Sequence, residues 1–357
     1  MSTNLAQERA KVFNRFLANV RTPLLYNYWY VVAYSDEIDY SLKERWVLNR
    51  PVVMYRKQDG TPVALRNRCP HRSYPLSKGR LSSDNIICGY HGMQFNSEGV
   101  CVNVPSQKQC PSNVRTRAYP LVETGPVVWI WMGDPEAADP ARIPSLPFLT
   151  DEGYAYNLGY SHCPGSYMLM HENLMDLTHF NYLHAASFNP AEEYISAGVE
   201  TEVTDETVTF KRDLGYTVTP SFFPPSLQEE VKKMTQSEGG SFRSPAVHDG
   251  WEYLKDDDGK IKYRSYITHF LTPETESSCH YFYCFSRNYL IEDKAYTSRI
   301  KELLQGAFQE DMDATADMQI ILDRDPDAFE EIHVGSDKPG VEMRRLVKQL
   351  AEAEHGS

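Results

Sequence analysis

Two short stretches of this 357-residue chain each carry one cysteine and one histidine: Cys69-Pro-His71 and Cys88-Gly-Tyr-His91. Both lie in turn-rich connections, RNRCPHRSYPLSKG and ICGYHGMQFNSEG, between runs that read as strands. Two thiolates on one iron and two imidazoles on the other form the ligand set of a histidine-ligated [2Fe–2S] cluster. Neutral imidazole favours reduced iron more than thiolate does, so such a cluster sits at a higher potential than a four-cysteine one. The competing assignment is a Cys₂His₂ zinc site. Zinc fingers pair Cys with Cys and His with His along the chain, whereas here each loop supplies one of each. Cys101 and Cys110 match neither pair and read as ordinary thiols.

A second group lies in ENLMDLTHFNYLHAASF, where His179 and His184 follow Asn173 and Asp176. Two histidines and one carboxylate, with coordination positions left open, make the facial triad of Fe(II) enzymes that activate oxygen. Five residues of separation put the imidazoles about 140° apart on an ideal helix. They share a metal only if the helix distorts or ends there, and by spacing alone two polar helix residues are an equal reading. A carboxylate comes from a later helix, expected over residues 298–322. Leu304, Ala307, Phe308, Asp311, Thr315, Met318 and Leu322 fall along one face of it, with Glu310, Asp313 and Asp317 opposite. Asp311 thus sets a charge amid an apolar stripe, where an unpaired carboxylate is costly and a metal would neutralise it. An arginine or helix-terminus partner is the alternative. His162, His171, His248, His269, His280 and His333 lack ligand spacing; any could line a pocket, but they read mainly as structural or exposed.

The elements that must position these residues fall into two sets. From Tyr28 to about Pro135, short alternating runs such as WYVVAY, PVVMYR and PVVWIWMGDP are broken by Gly, Pro, Asn and Asp, as in an all-β module. Residues 1–20 suit a short amphipathic helix. AADPARIPSLPFLTDEG is proline-rich and aperiodic and reads as the linker. Beyond it, strand-like YAYNLGYSHC precedes the helical run that bears His179. Further strands follow at TVTFKRDL, KIKYRSYITHFLT and SSCHYFYCFSRNYL, the last two joined by a hairpin at Pro273–Glu276. Residues 220–250 mix Pro, Gly and Ser and read as a long loop over a site. The expected fold is α+β, with domains at residues 1–145 and 146–357.

Composition narrows the function classes. Hydrophobic residues at 41% permit a packed interior, and no stretch reaches the length of a membrane span. A net charge of −13 argues against nucleic acid. Seven scattered cysteines without a secretory leader read as reduced thiols in a cytoplasmic protein. No G-x-G-x-x-G follows a strand, so the reading gives the chain no pyridine nucleotide site of the usual kind.

CPHRSYPLSKG and CGYHGMQFNSEGVCVNVP resemble the cluster loops of Rieske non-haem iron oxygenases. The N-x-x-D-x-x-H-x₄-H pattern of Asn173, Asp176, His179 and His184 matches that family's iron motif, and AFQEDMDATADMQ resembles its carboxylate-bearing segment. The chain is similar to the branch typified by vanillate O-demethylase and toluenesulfonate methyl-monooxygenase oxygenase components. The resemblance implies a Rieske domain, its [2Fe–2S] cluster held by Cys69, His71, Cys88 and His91, ahead of a helix-grip catalytic domain. There His179, His184 and Asp311 would hold a mononuclear Fe(II). Asp176, with Asn173 beside it in the motif, would link an iron ligand to a cluster histidine of the neighbouring subunit in a homotrimer. Electrons would come from an NAD(P)H-dependent reductase, with or without a ferredoxin. The implied reaction, of the kind used in aromatic catabolism, is O2-dependent hydroxylation or demethylation of a small substrate. Tyr281, Phe282, Tyr283 and Phe285 suggest that this substrate is apolar and aromatic, although aromatic residues on strands more often fill a core than a pocket. A cis-dihydroxylating dioxygenase component, and a non-catalytic Rieske electron carrier with a ligand-binding domain, remain open alternatives.

Overall fold

The computed structural model describes residues 22–355, apart from 189, 326, 328 and 330. The amphipathic stretch expected over residues 1–20 lies outside them. Packing divides the chain into two units, one holding Leu25–Ser145 and Thr272–Thr275, the other Leu146–Leu271 and the chain from Glu276 onward.

The first unit is all-β. Its strands are β1 (Trp29–Tyr34), β2 (Lys43–Val47), β3 (Arg50–Arg56), β4 (Pro62–Arg66), β5 (Arg80–Ser82), β6 (Asn85–Ile87), β7 (Gln94–Phe95), β8 (Cys101–Asn103), β9 (Ala118–Tyr119), β10 (Leu121–Thr124) and β11 (Val127–Trp131). They form three sheets, ordered β1-β11-β10, β2-β3-β4-β9 and β5-β6-β7-β8. β11, VVWIW, is buried along its whole length, which suits its β-branched and aromatic composition. Leu48-Asn49 and Ser83-Asp84 turn two tight hairpins with positive φ at both residues, the sense that matches strand twist. Residues 272–275 belong here because Leu48 N donates to Pro273 O and Asn49 N to Glu274 O, both at 2.8 Å.

The second unit is built on a seven-stranded sheet. Its strands are β12 (Ala155–Cys163), β13 (Glu200–Val203), β14 (Val208–Leu214), β15 (Thr235–Ser244), β16 (Val247–Lys255), β17 (Ile261–Pro273) and β18 (Cys279–Arg287). Their order is β12-β18-β17-β16-β15-β14-β13. The helices are α1 (Tyr167–Met175), α2 (Pro225–Val231), α3 (Lys294–Arg324) and α4 (Lys338–His355). Asp293 caps α3, its carboxylate accepting from Tyr296 N at 2.9 Å. No helix among the described residues is long and apolar enough to cross a membrane.

The structure departs from the sequence pattern in two places. Residues 220–250 are not one long loop: α2, β15 and the start of β16 occupy most of them. Their glycines are strand residues where neighbours crowd the backbone. A Cβ on Gly239 would lie 2.3 Å from the Trp251 ring, and one on Gly240 would lie 2.6 Å from Phe210. Glycine in a strand marks such close approach. The buried face of α3 follows Leu304, Ala307, Phe308, Asp311 and Thr315 but then departs from the expected stripe: Met318 is exposed, and Met312 and Gln319 are buried. At that end the helix faces the start of α1, where Gln319 Oε1 accepts from Ser166 N at 3.0 Å.

Candidate metal centres and active-site cavity

The two Cys/His loops of the first unit fold alike. Cys69 N donates to Tyr74 O, and Cys69 O accepts from Ser73 N; Cys88 N donates to Met93 O, and Cys88 O accepts from Gly92 N. Each loop thus closes over four and five residues, with positive φ at the fourth, 58° at Ser73 and 73° at Gly92. This repeated turn directs a cysteine inward and a histidine outward. Cys69 and Cys88 are buried in an apolar cluster with Val53, Leu65 and Phe95. His71 and His91 are exposed, their ring centroids 4.6 Å apart. Burial, with the Cys88 thiol alongside, pushes the Cys69 thiol up to about 11. Two neighbouring buried thiols have little to gain from each other as thiols, and a metal would take both as thiolates.

In the second unit α1 ends where shared coordination requires it to. Asp176 is extended, at φ −136° and ψ 111°, and a 3-10 turn over Leu177–Asn181 carries His179. One metal-binding atom each from His179, His184 and Asp311 lies within 4.8 Å of the others. His184 Nε2 is 3.0 Å from Asp311 Oδ1 and His179 Nε2 is 3.5 Å from it. Both imidazoles are held from the rear. His179 Nδ1 donates to the backbone carbonyl of Asp176 at 2.7 Å, and His184 Nδ1 donates to Glu310 Oε2 at 2.7 Å. Glu310 also accepts from Ser187 Oγ at 2.7 Å. Protons on both Nδ1 atoms leave both Nε2 lone pairs for a metal. Asn173 Nδ2 donates to Asp311 Oδ1 at 3.0 Å. Burial lowers His179 from its ordinary value, despite the nearby Asp311 carboxylate. Burial also opposes charge on His184, but the Asp311 and Glu310 carboxylates outweigh it and raise that group.

Beside these groups lies a cavity of about 160 Å³, close to the size that accepts one benzene ring. Its floor is the sheet, in three cross-strand rows. Glu238, Glu252 and Ser265 form one row; Gly240, Gly250 and Ile267 the next; His248 and His269 the third. In the middle row Gly240 makes room for the Phe210 ring, and Gly250, with nothing nearer than 3.5 Å to a would-be Cβ, leaves the floor open. Phe180, Phe188, Phe222, Phe285 and Phe308 supply much of the apolar wall.

A family model described as "Vanillate O-demethylase oxygenase C-terminal domain" matches residues 163–353, and one described as "Rieske [2Fe-2S] domain" matches residues 28–120. The chain belongs to the Rieske oxygenases of the vanillate O-demethylase type. It is 33% identical to the iron–sulfur subunit of the toluene-4-sulfonate monooxygenase system of Comamonas testosteroni, over 92% of this chain and 98% of that one. Among solved structures it is similar to dicamba monooxygenase bound to 3,6-dichlorosalicylic acid, with a TM-score of 0.86, 28% identity, and 94% and 100% of the two chains covered. It is also similar to dicamba monooxygenase with non-heme iron and dicamba, with a TM-score of 0.77 and 26% identity over 93% and 98%. This Rieske oxygenase is therefore an oxygenase component, with the α+β architecture of an N-terminal Rieske domain and a sheet-and-helix catalytic domain.

The oxygenase's predicted residues do not all take the places expected of them. Glu310, set opposite Asp311 on the helix wheel, reaches His184 because it stands at the border of the buried face. Asp176 meets His179 through its backbone carbonyl, while its carboxylate caps the next turn by accepting from Thr178 N at 2.8 Å. Of the four aromatic residues on β18, only Phe285 lines the cavity; Tyr281 and Tyr283 pack on Phe308 in the core. His248 and His269 line the cavity, and burial pulls both imidazoles down, His269 to about 3, so both are neutral. Sequence reading missed Glu238, Glu252 and Gln236. The signal was the alternation Gln236-x-Glu238-x-Gly240 against His248-x-Gly250-x-Glu252.

Proposed function

We propose that this oxygenase inserts one atom of dioxygen into a C–H bond of a small, ring-sized substrate at a mononuclear iron held by His179, His184 and Asp311. One observation carries the assignment: His179 Nε2 is buried without a hydrogen bond, facing Asp311 beside His184. An orphaned imidazole nitrogen next to a buried carboxylate is costly unless a cation joins them. The iron would supply oxygen activation, and a [2Fe–2S] cluster on Cys69, His71, Cys88 and His91 would supply the electrons.

The surrounding residues then have defined work. Asn173 fixes the Asp311 carboxylate, and Glu310 and the Asp176 carbonyl fix the two imidazole tautomers. The phenylalanine wall keeps water from the reacting carbon and holds the ring. In overall balance, substrate, dioxygen, two electrons and two protons give hydroxylated substrate and water. A hydroxylated methyl group on oxygen or nitrogen then leaves as formaldehyde, the outcome favoured by the match to the demethylase domain. The enzyme in this reading is a cytoplasmic homotrimer served by an NAD(P)H-dependent reductase, and Asp176 carries electrons between subunits.

Turnover with a surrogate reductase, following oxygen uptake and formaldehyde together, tests the reading. Formaldehyde equal to oxygen consumed supports demethylation, whereas an intact diol product refutes it in favour of cis-dihydroxylation.

A further inference from the structure

The cavity's charge is one-sided. Away from the metal ligands His179, His184 and Asp311, its lining among the described residues includes Glu238 and Glu252 but no lysine or arginine, and burial lowers its other imidazoles, His248 and His269. Asp311 is taken up by the metal site. Glu238 is matched within the protein, by Arg212 Nη1 at 3.3 Å, by the Tyr194 hydroxyl at 2.8 Å and by Gln236 Nε2 at 2.9 Å. Glu252 differs. It pairs directly across the strands with Glu238, and no cation among the described residues lies within ion-pair distance of it. Burial, and then the facing Glu238 carboxylate, push Glu252 up to about 7, with only Ser265 hydrogen-bonding against that rise. An anionic ligand finds no cation on this side of the cavity, whereas a ligand cation would favour the ionised form of Glu252, which has no counterion within the protein among the described residues.

The position suits recognition. The Glu238–Glu252–Ser265 row stands four residues along the strands from the His248–His269 row, or ~13 Å. Between them Gly250 leaves the floor open, with nothing nearer than 3.5 Å to a would-be Cβ, while the Phe210 ring covers Gly240. Tyr194, which donates to Glu238, stacks on Phe180, and Phe180 packs against both His179 and His184. Tyr194 and Phe180 thus form a continuous aromatic wall between the acid row and the metal ligands, along which a ring can lie.

We propose that the substrate of this oxygenase is a small ring compound bearing a cationic nitrogen, which Glu252 binds, rather than an aromatic carboxylate or sulfonate. The proposal rests on the cavity being the active site. Three probes of one shape test it on the full chain with its metal centres loaded under anaerobic conditions: para-methoxybenzylamine, para-methoxybenzyl alcohol and para-methoxybenzoate. Calorimetric binding should rank them amine, alcohol, acid, with the amine at least about tenfold tighter than the acid. Glu252→Gln should erase that preference, and Glu252→Asp, which keeps the charge, should retain it. Tightest binding by the benzoate, or an unchanged amine preference in Glu252→Gln, would overturn the proposal. Formaldehyde release in separate aerobic turnover distinguishes the two layers: the predicted binding order without formaldehyde upholds the recognition role and refutes only the demethylation reading.

Discussion

Replacing Glu310 with alanine removes the carboxylate that accepts from His184 Nδ1 at 2.7 Å and from Ser187 Oγ at 2.7 Å. The His184 side chain is 1% exposed, whereas that of Glu310 is 32% exposed. Water can therefore enter from the glutamate's side and replace part of what is lost. A hydrogen bond to a charged group contributes ~1.5–3 kcal/mol when its partner stays dry, and partial rehydration brings the loss towards the lower end. Removing such a support from a metal-ligating histidine weakens metal binding about 10–100-fold. Anaerobic titration of iron-depleted mononuclear sites with Fe(II) reads this directly, with the cluster spectrum as an internal control. Glu310→Gln, which keeps an acceptor oxygen, should lose less. A proton competes with the metal for His184, so affinity should fall as pH drops through that group's raised value. The fall should begin at lower pH in Glu310→Ala, where one raising influence is gone. Wild-type affinity and an unshifted pH profile in Glu310→Ala would refute the reasoning.

Asp311→Ala should abolish mononuclear iron and turnover while the cluster absorbance persists, and Asp317→Ala should leave both; metal analysis and spectroscopy decide. His71→Cys should retain part of the cluster at a lower potential, measured by redox titration, because thiolate disfavours the reduced state. Asp176→Asn should keep both metal centres, since its carbonyl still holds His179. In that variant cluster reoxidation should slow when reduced protein is mixed with oxygen and substrate, and an unchanged rate would make the carboxylate only a turn cap.

What could be read from the sequence tracks how local each piece of chemistry is. The cluster loops were legible because each Cys/His pair spans three or four consecutive residues and its turn is closed by its own backbone. Asp311 was legible because a helix has one period and a carboxylate stands out within its apolar stripe. Glu310 was not, since the stripe's border has no mark in sequence; only the path of the chain after α1 brings His184 to it. The helix end at Met175 was required by the histidine spacing but not located by it. Glu238 and Glu252 escaped notice because strand register creates their pairing, and because glycines that admit Phe210 and Trp251 look like loop residues. The aromatic run on β18 was ambiguous for the opposite reason: aromatic residues fill strands by propensity and most face the core, so of the four only Phe285 lines the cavity.

Iron and acid-labile sulfide, counted on the anaerobically isolated chain alongside its visible and electron paramagnetic resonance spectra, test the central claim most directly. The two ligand sets predict about three irons and about two sulfides per chain, with the absorbance of a histidine-ligated cluster. They also predict that one iron is removable by mild chelation while the cluster spectrum stays unchanged. A colourless protein holding stoichiometric zinc, with no labile sulfide, would contradict the account.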